Sequence, residues 1–178
     1  RVLQTRDPDL GARQLVWDDG DRLLRETNAV GQVVRYEYDA SNRLSAVVAD
    51  LTPDDNSVAD GKVFRTEYTY DGTSKRVQTV RQSDGVELTF SYVNTFGGFR
   101  VATITDGMGA VTSFQYGSAS RTVVTDARNN NWTYDYDAMG YLRSVVLPDG
   151  TLLDYEWDAE GHRVGKRRNG VLEKQWLY

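Results

Sequence analysis

An aromatic residue returns at one fixed place in a recurring unit, at Trp17, Tyr38, Tyr70, Tyr92, Tyr116, Tyr136, Trp157 and Tyr178, with gaps of 21, 32, 22, 24, 20, 21 and 21 residues. In all but the first unit a second aromatic stands two positions earlier, at Tyr36, Tyr68, Phe90, Phe114, Tyr134, Tyr155 and Trp176. A period of this length marks a repeat array, in which each unit buries its apolar face against its neighbours. Such a chain builds a surface more readily than a single pocket.

The unit reads as a β-hairpin. In residues 86–92, Val86, Leu88, Phe90 and Tyr92 fall on one face, and Glu87, Thr89 and Ser91 on the other. That alternation predicts a half-buried strand. The same register appears in Trp132, Tyr134 and Tyr136, and in Leu153, Tyr155 and Trp157. Seven residues before the anchor stands Gly31, Gly85, Gly109 or Gly150, with Asn129 in one unit. Asp84-Gly85, Asp149-Gly150 and Asn169-Gly170 are pairs that supply the positive φ of hairpin turns. After the anchor comes a second turn, as in residues 39–42, 137–140 and 158–161, and then a second strand, as in 43–48 and 141–147. No stretch has a helical period. The expected fold is all-β: repetitive antiparallel hairpins pairing edge to edge into a ribbon coiled by sheet twist. Looser turns are expected after Tyr92 and Tyr116, where the turn motif is degraded.

Composition narrows the function classes. The chain is 26% charged, yet 11% aromatic, which is too aromatic for a disordered segment. A net charge of −5 argues against a nucleic-acid partner. No apolar run approaches the length of a membrane span. Without cysteine, neither disulfides nor thiolate metal sites form.

The motif Tyr-x-Tyr-Asp-x-x-Gly-x-Leu occurs as Tyr36-Glu37-Tyr38-Asp39-Ala40-Ser41-Asn42-Arg43-Leu44 and as Tyr134-Asp135-Tyr136-Asp137-Ala138-Met139-Gly140-Tyr141-Leu142. A third copy is Tyr155-Glu156-Trp157-Asp158-Ala159-Glu160-Gly161-His162-Arg163-Val164. It resembles the YD repeat of the Rhs and wall-associated protein family, with similar shells in Tc toxin complexes and teneurins. The resemblance covers nearly the whole chain from Trp17. It implies one YD-repeat array over residues 1–178, of about seven to eight units with the last truncated, carrying an inserted acidic loop at 51–61. It further implies a spiralling sheet that encloses a toxin or effector cargo. The expected partners are the remainder of the parent shell and its C-terminal cargo, together with self-association through unpaired end strands. The expected location is secreted or at the cell surface, by way of a bacterial secretion system. The alternative is an adhesion module that binds carbohydrate or a cell-surface partner. The self-cleavage segment that ends many bacterial Rhs cores has no match in these residues.

No catalytic, metal or cofactor site is expected. The residues expected to matter are a structural ladder of Tyr36, Tyr38, Tyr68, Tyr70, Phe90, Tyr92, Phe114, Tyr116, Tyr134, Tyr136, Tyr155 and Trp157, with the turn glycines Gly31, Gly85, Gly109 and Gly150. Asp39, Asp71, Asp137 and Asp158 read as Asx turns that bond nearby amides, rather than as acid/base groups. Asp50, Asp54, Asp55 and Asp60, and likewise Asp18-Asp19-Gly20-Asp21, lack the spacing of a calcium loop and read as solvated. His162, the one histidine, holds the motif position occupied elsewhere by Arg43 or Tyr141. Arg163, Lys166, Arg167 and Arg168 read as a charged strand face that discourages edge pairing. The sequon Asn131-Trp132-Thr133 lies in an expected strand.

Overall fold

The computed structural model describes residues 4–7, 11–52, 61–95, 97–117 and 120–178, the first of these stretches by backbone alone. The strands are β1 (Gln4–Asp7), β2 (Gly11–Trp17), β3 (Leu23–Thr27), β4 (Val33–Tyr38), β5 (Leu44–Asp50), β6 (Val63–Tyr70), β7 (Val77–Gln82) and β8 (Glu87–Thr95). They continue as β9 (Gly98–Asp106), β10 (Val111–Tyr116), β11 (Arg121–Thr125), β12 (Asn131–Tyr136), β13 (Leu142–Val146), β14 (Leu152–Trp157), β15 (Arg163–Arg168) and β16 (Val171–Gln175). The chain forms two compact segments, residues 1–89 and 90–178, with the boundary inside β8. In the first, β1 to β8 pair antiparallel in sequence order. In the second, β9 to β16 do the same. The fold is all-β, and no described helix is long and apolar enough to cross a membrane.

Little of this sheet is fully buried. Among the described residues the buried apolar side chains are Val33, Ala46, Val48 and Val145. Ala46 pairs with Glu37 on one side and Glu67 on the other, and Arg65 bridges those two carboxylates above it at 2.8 Å each. A methyl group fits under that bridge; a longer side chain would lift it. The ladder residues are half-buried throughout. Stability on such a surface comes from cross-strand neighbours more than from a deep core.

The aromatic residues do not pair directly across strands. Tyr36 faces Val47, Tyr68 faces Val80, Phe114 faces Val124 and Tyr134 faces Val145. On the far side of these valines stand Thr66, Leu88, Trp132 and Leu153, so of the four only Val124 lies directly between two rings. Two strand spacings amount to roughly 9.5 Å, beyond the roughly 4.5–7 Å of a ring–ring contact.

The turns follow one design. A residue's N–H donates to the carbonyl four positions on, and its own carbonyl accepts from the N–H three positions on. This holds for turns starting at Asp18, Asn28, Asp39, Gln82, Asp106, Asp126, Asp137, Leu147 and Asp158. The fourth residue is left-handed in each: Asp21, Gly31, Asn42, Gly85, Gly109, Asn129, Gly140, Gly150 and Gly161, with φ between 60° and 92°. The four predicted turn glycines thus occupy equivalent places. Asp84-Gly85 and Asp149-Gly150 are not two-residue turns, because only their glycines have positive φ. Asn169-Gly170 is one, with φ of 48° and 80° between the paired Arg168 and Val171.

The degraded motifs behave differently from expectation. After Tyr92 the turn is displaced rather than loosened: β8 and β9 run nine residues each, and the chain reverses near Gly98. After Tyr116, Gly117 N–H still donates to the Arg121 carbonyl at 3.0 Å, the same closing bond. What is lost there is a bulge. The register slips by one at Trp17, Tyr38, Tyr70, Tyr136 and Trp157, but Tyr116 pairs with Thr122 unshifted.

Of the inserted loop, residues 53–60 lie outside the described residues, with Asp54, Asp55 and Asp60 among them. Its base is closed by Leu51 N–H donating to the Lys62 carbonyl at 3.0 Å. Asp50, at the end of β5, is fully buried; one carboxylate oxygen accepts from Thr52 N–H at 2.8 Å.

Candidate functional site

The turns after Trp17, Tyr38, Tyr70, Tyr136 and Trp157 are each headed by a carboxylate. Asp39 Oδ1 accepts from the Ser41 and Arg43 amides at 2.8 and 2.9 Å, and Oδ2 accepts from Arg43 Nε at 2.8 Å. Asp18 does the same with Gly20 and Arg22, while Asp137 Oδ1 accepts from the Met139 and Tyr141 amides and Asp158 Oδ1 from those of Glu160 and His162. Asp71 heads a longer turn and holds Arg76 instead, at 2.7 Å. The turns headed by Asp18, Asp39, Asp137 and Asp158 are Asx turns, whereas at Asp71, also expected to be one, the carboxylate bonds the Arg76 side chain. The Asp18-Asp19-Gly20-Asp21 stretch is therefore the turn of the first repeat, its carboxylate already occupied by donors. The amide of the fifth turn residue is the largest influence holding Asp18, Asp39 and Asp158 below the usual carboxylate range.

From these turns a staple reaches the following repeat. Tyr38 Oη donates to the Leu23 carbonyl at 2.9 Å, Tyr70 Oη to Leu44 at 2.6 Å, Tyr116 Oη to Val101 at 2.8 Å and Trp157 Nε1 to Leu142 at 2.8 Å. Leu23, Leu44 and Leu142 are the residues that pair with the previous anchors Trp17, Tyr38 and Tyr136. Each of these four anchors thus fastens its polar tip to the hairpin before it. Burial is the main reason that the Tyr70 and Tyr116 hydroxyls titrate above their ordinary value. Tyr36 is raised by burial and then by Glu26, which Arg13 pairs at 2.6 Å.

The fifth turn residue covers the same ring. The Arg22 guanidinium lies 5.0 Å from the Tyr38 ring centroid, and that of Arg43 lies 4.5 Å from Tyr70. Tyr141 stacks on Trp157 at 5.1 Å and 19°, and His162 on Tyr178 at 4.8 Å and 28°. Both geometries are attractive for an aromatic face. Sequence reading missed this role, since the position is the unspecified x of Asp-x-x-Gly-x-Leu. The signal was present: that x is Arg, Tyr or His, never a small residue, in these repeats.

The other candidates are absorbed by the sheet. Arg167 pairs with Glu156 at 2.8 Å, and Lys166 and Arg168 both pair with Glu173 at 2.7 Å. Arg163 lies between the rings of Trp176 and Tyr155, 4.4 and 5.8 Å from their centroids. Two carboxylates and two rings thus hold these four cations, and β15 is not an edge, since β16 pairs with it. His162 Nδ1 contacts Asp158 Oδ2 at 3.1 Å. Asn131 Oδ1 accepts from Thr125 Oγ1 at 2.6 Å. Among the described residues, no group of three or more His, Cys, Asp or Glu could hold a metal ion. The arrangement can do mechanical work, joining repeat to repeat.

Residues 17–52 match the RHS Repeat family model. That stretch holds the first anchor, the next one and the turns of both. Two relatives from Dickeya dadantii (strain 3937), probable deoxyribonuclease RhsA and probable deoxyribonuclease RhsB, are each 27% identical over 168 residues, 93% of this chain. The chain spans 11% of the length of these relatives. Among solved structures, the TcdB2-TccC3-Cdc42 crystal structure is similar with a TM-score of 0.49 at 14% identity, over 93% of this chain and 10% of that one. The TcdB2-TccC3 crystal structure is similar with a TM-score of 0.48 at 14% identity, over 93% of this chain and 11% of that one. With its repeating aromatic anchors, Asx turns and sequence-ordered hairpins, the chain is similar to RHS repeat proteins, and its residues 17–52 match that family's model.

Proposed function

We propose that the chain is a non-catalytic length of wall in an RHS-type shell that encloses a toxin or effector cargo. Its parent is secreted or displayed at the cell surface by a bacterial secretion system. The observation that carries this reading is the staple. The anchor hydroxyls, indole and turn cations are committed to neighbouring repeats, as the Tyr70–Leu44 bond and the Arg43–Tyr70 contact exemplify. Groups so committed hold a sheet continuous; they do not turn over a substrate. A cargo such as the deoxyribonuclease for which the two relatives are named is the kind of partner such a wall would retain.

The test is limited proteolysis of the full-length parent protein. In the intact protein the enclosed region resists protease; after Tyr70→Phe with Arg43→Ala, which loosen the wall, it becomes cleavable. Equal cleavage in both proteins overturns the reading. Saturable glycan binding by this chain, abolished by changes at its exposed residues, would favour the adhesion module instead.

A further inference from the structure

We propose that adjacent repeats are matched to one another by triplets, each joining the fifth turn residue of one repeat to the anchor ring and the turn of the next. The inference concerns contacts inside this chain and does not depend on an enclosed cargo.

Three joints carry it. At the first, Arg22 covers the Tyr38 ring and its guanidinium donates to Asn42 Oδ1 at 2.5 Å. Asn42 is the left-handed fourth residue of the next turn, with φ of 61°. At the second, Arg43 covers Tyr70 and donates to the carbonyls of Gly72 and Ser74, again in the next turn, at 2.8 and 2.7 Å. At the third, Tyr141 stacks on Trp157 and rests against Gly161, the fourth residue of the next turn, with φ of 85°. A Cβ at Gly161 would strike the Tyr141 hydroxyl and come within 3.0 Å of its Cζ.

The two chemistries do not interchange. A guanidinium needs acceptors on the next turn, which Asn42 or free carbonyls supply. A phenol ring needs empty space, which only glycine leaves. Tyrosine in place of Arg22 would meet the Asn42 side chain; asparagine in place of Gly161 would meet the Tyr141 ring. A joint with no such contact shows the contrast. Arg121, fifth in its turn, pairs with Asp135 at 2.7 Å instead, and a Cβ at Gly140 of the following turn meets nothing within 4 Å. A repeat joined by such a triplet therefore accepts a neighbour whose turn matches its own fifth residue.

The test uses the intact chain and reads amide hydrogen exchange in β14 and β15 with the thermal midpoint. Gly140→Asn is the control for placing asparagine at positive φ, a conformation it tolerates; it leaves exchange unchanged. Gly161→Asn speeds exchange about tenfold or more, as overpacking by one side chain does. Tyr141→Arg with Gly161→Asn restores most of that loss, although it removes a ring stack. In the first segment, Arg22→Tyr speeds exchange in β3 and β4, and Arg22→Tyr with Asn42→Gly recovers it. Recovery in the paired variants supports the triplet even where a single variant fails to fold. Strictly additive losses, or Gly161→Asn behaving like Gly140→Asn, overturn it.

Discussion

The hydroxyl of Tyr70 donates a 2.6 Å hydrogen bond to the carbonyl of Leu44, the residue that pairs with Tyr38 one repeat earlier. An anchor thus holds the strand that its predecessor already holds. Load passes along the array through alternating ring and backbone contacts, as expected where stability is a sum of nearest-neighbour terms.

Removing only the hydroxyl isolates this bond. Tyr70→Phe is expected to cost about 1 kcal/mol, the usual net value of a hydrogen bond. Urea unfolding measures the loss, and faster amide exchange localised to β5 and β6 shows where it acts. An unchanged midpoint with unchanged exchange would remove the staple from the account.

The ladder itself is testable through Tyr136 and Tyr155. Complete burial would set the cost of truncation to alanine at about 3–5 kcal/mol, and half-burial scales it to roughly 2 kcal/mol. Both variants should melt below the parent chain in calorimetry. Wild-type melting of both would show the rings to be dispensable.

The left-handed turn position discriminates between side chains. Gly109→Ala should cost about 1–2 kcal/mol, because a Cβ crowds the following carbonyl at positive φ. Gly109→Asn should cost much less, since Asn42 and Asn129 already occupy equivalent positions at φ of 61° and 62°. The comparison is read from paired chemical denaturation curves, and equal losses would count against the turn assignment.

Acid should weaken the turns from a predictable side. Asp18, Asp39, Asp126 and Asp158 have folded pKa values below their ordinary 3.8. A depressed carboxylate contributes stability that is present above the unfolded value and disappears as pH falls through the folded one. The thermal midpoint should therefore stay flat with respect to these groups down to about pH 4 and fall below it. Asp39→Asn should flatten part of that fall; an identical acid profile would exclude Asp39 as a contributor.

The fold was legible because its signals recur. Alternation at 86–92 and 132–136 identified strands, and a glycine or asparagine seven residues before the anchor located the turn. The Asx role of Asp39, Asp137 and Asp158 followed from residue type and place. The displaced turn beyond Tyr92 was harder to read, because nothing local forbids β8 from running on to Thr95. The partner of each ring was also out of reach. Alternation assigns a residue to a face, while its neighbour across the strand depends on register and on the slips at Tyr38, Tyr70 and Trp157.

By itself the sequence determined the repeat, its all-β character and the position of the regular turns other than the one at 18–22, since these depend on side-chain period and on which residues tolerate positive φ. Only the tertiary structure decided that Arg43 belongs to Tyr70, that Tyr141 belongs to Trp157, and that Tyr36 and Tyr134 face valines. The reason is distance along the chain. Backbone preference acts over a few neighbouring residues, whereas these contacts join groups in successive repeats that meet only once the intervening strands have paired.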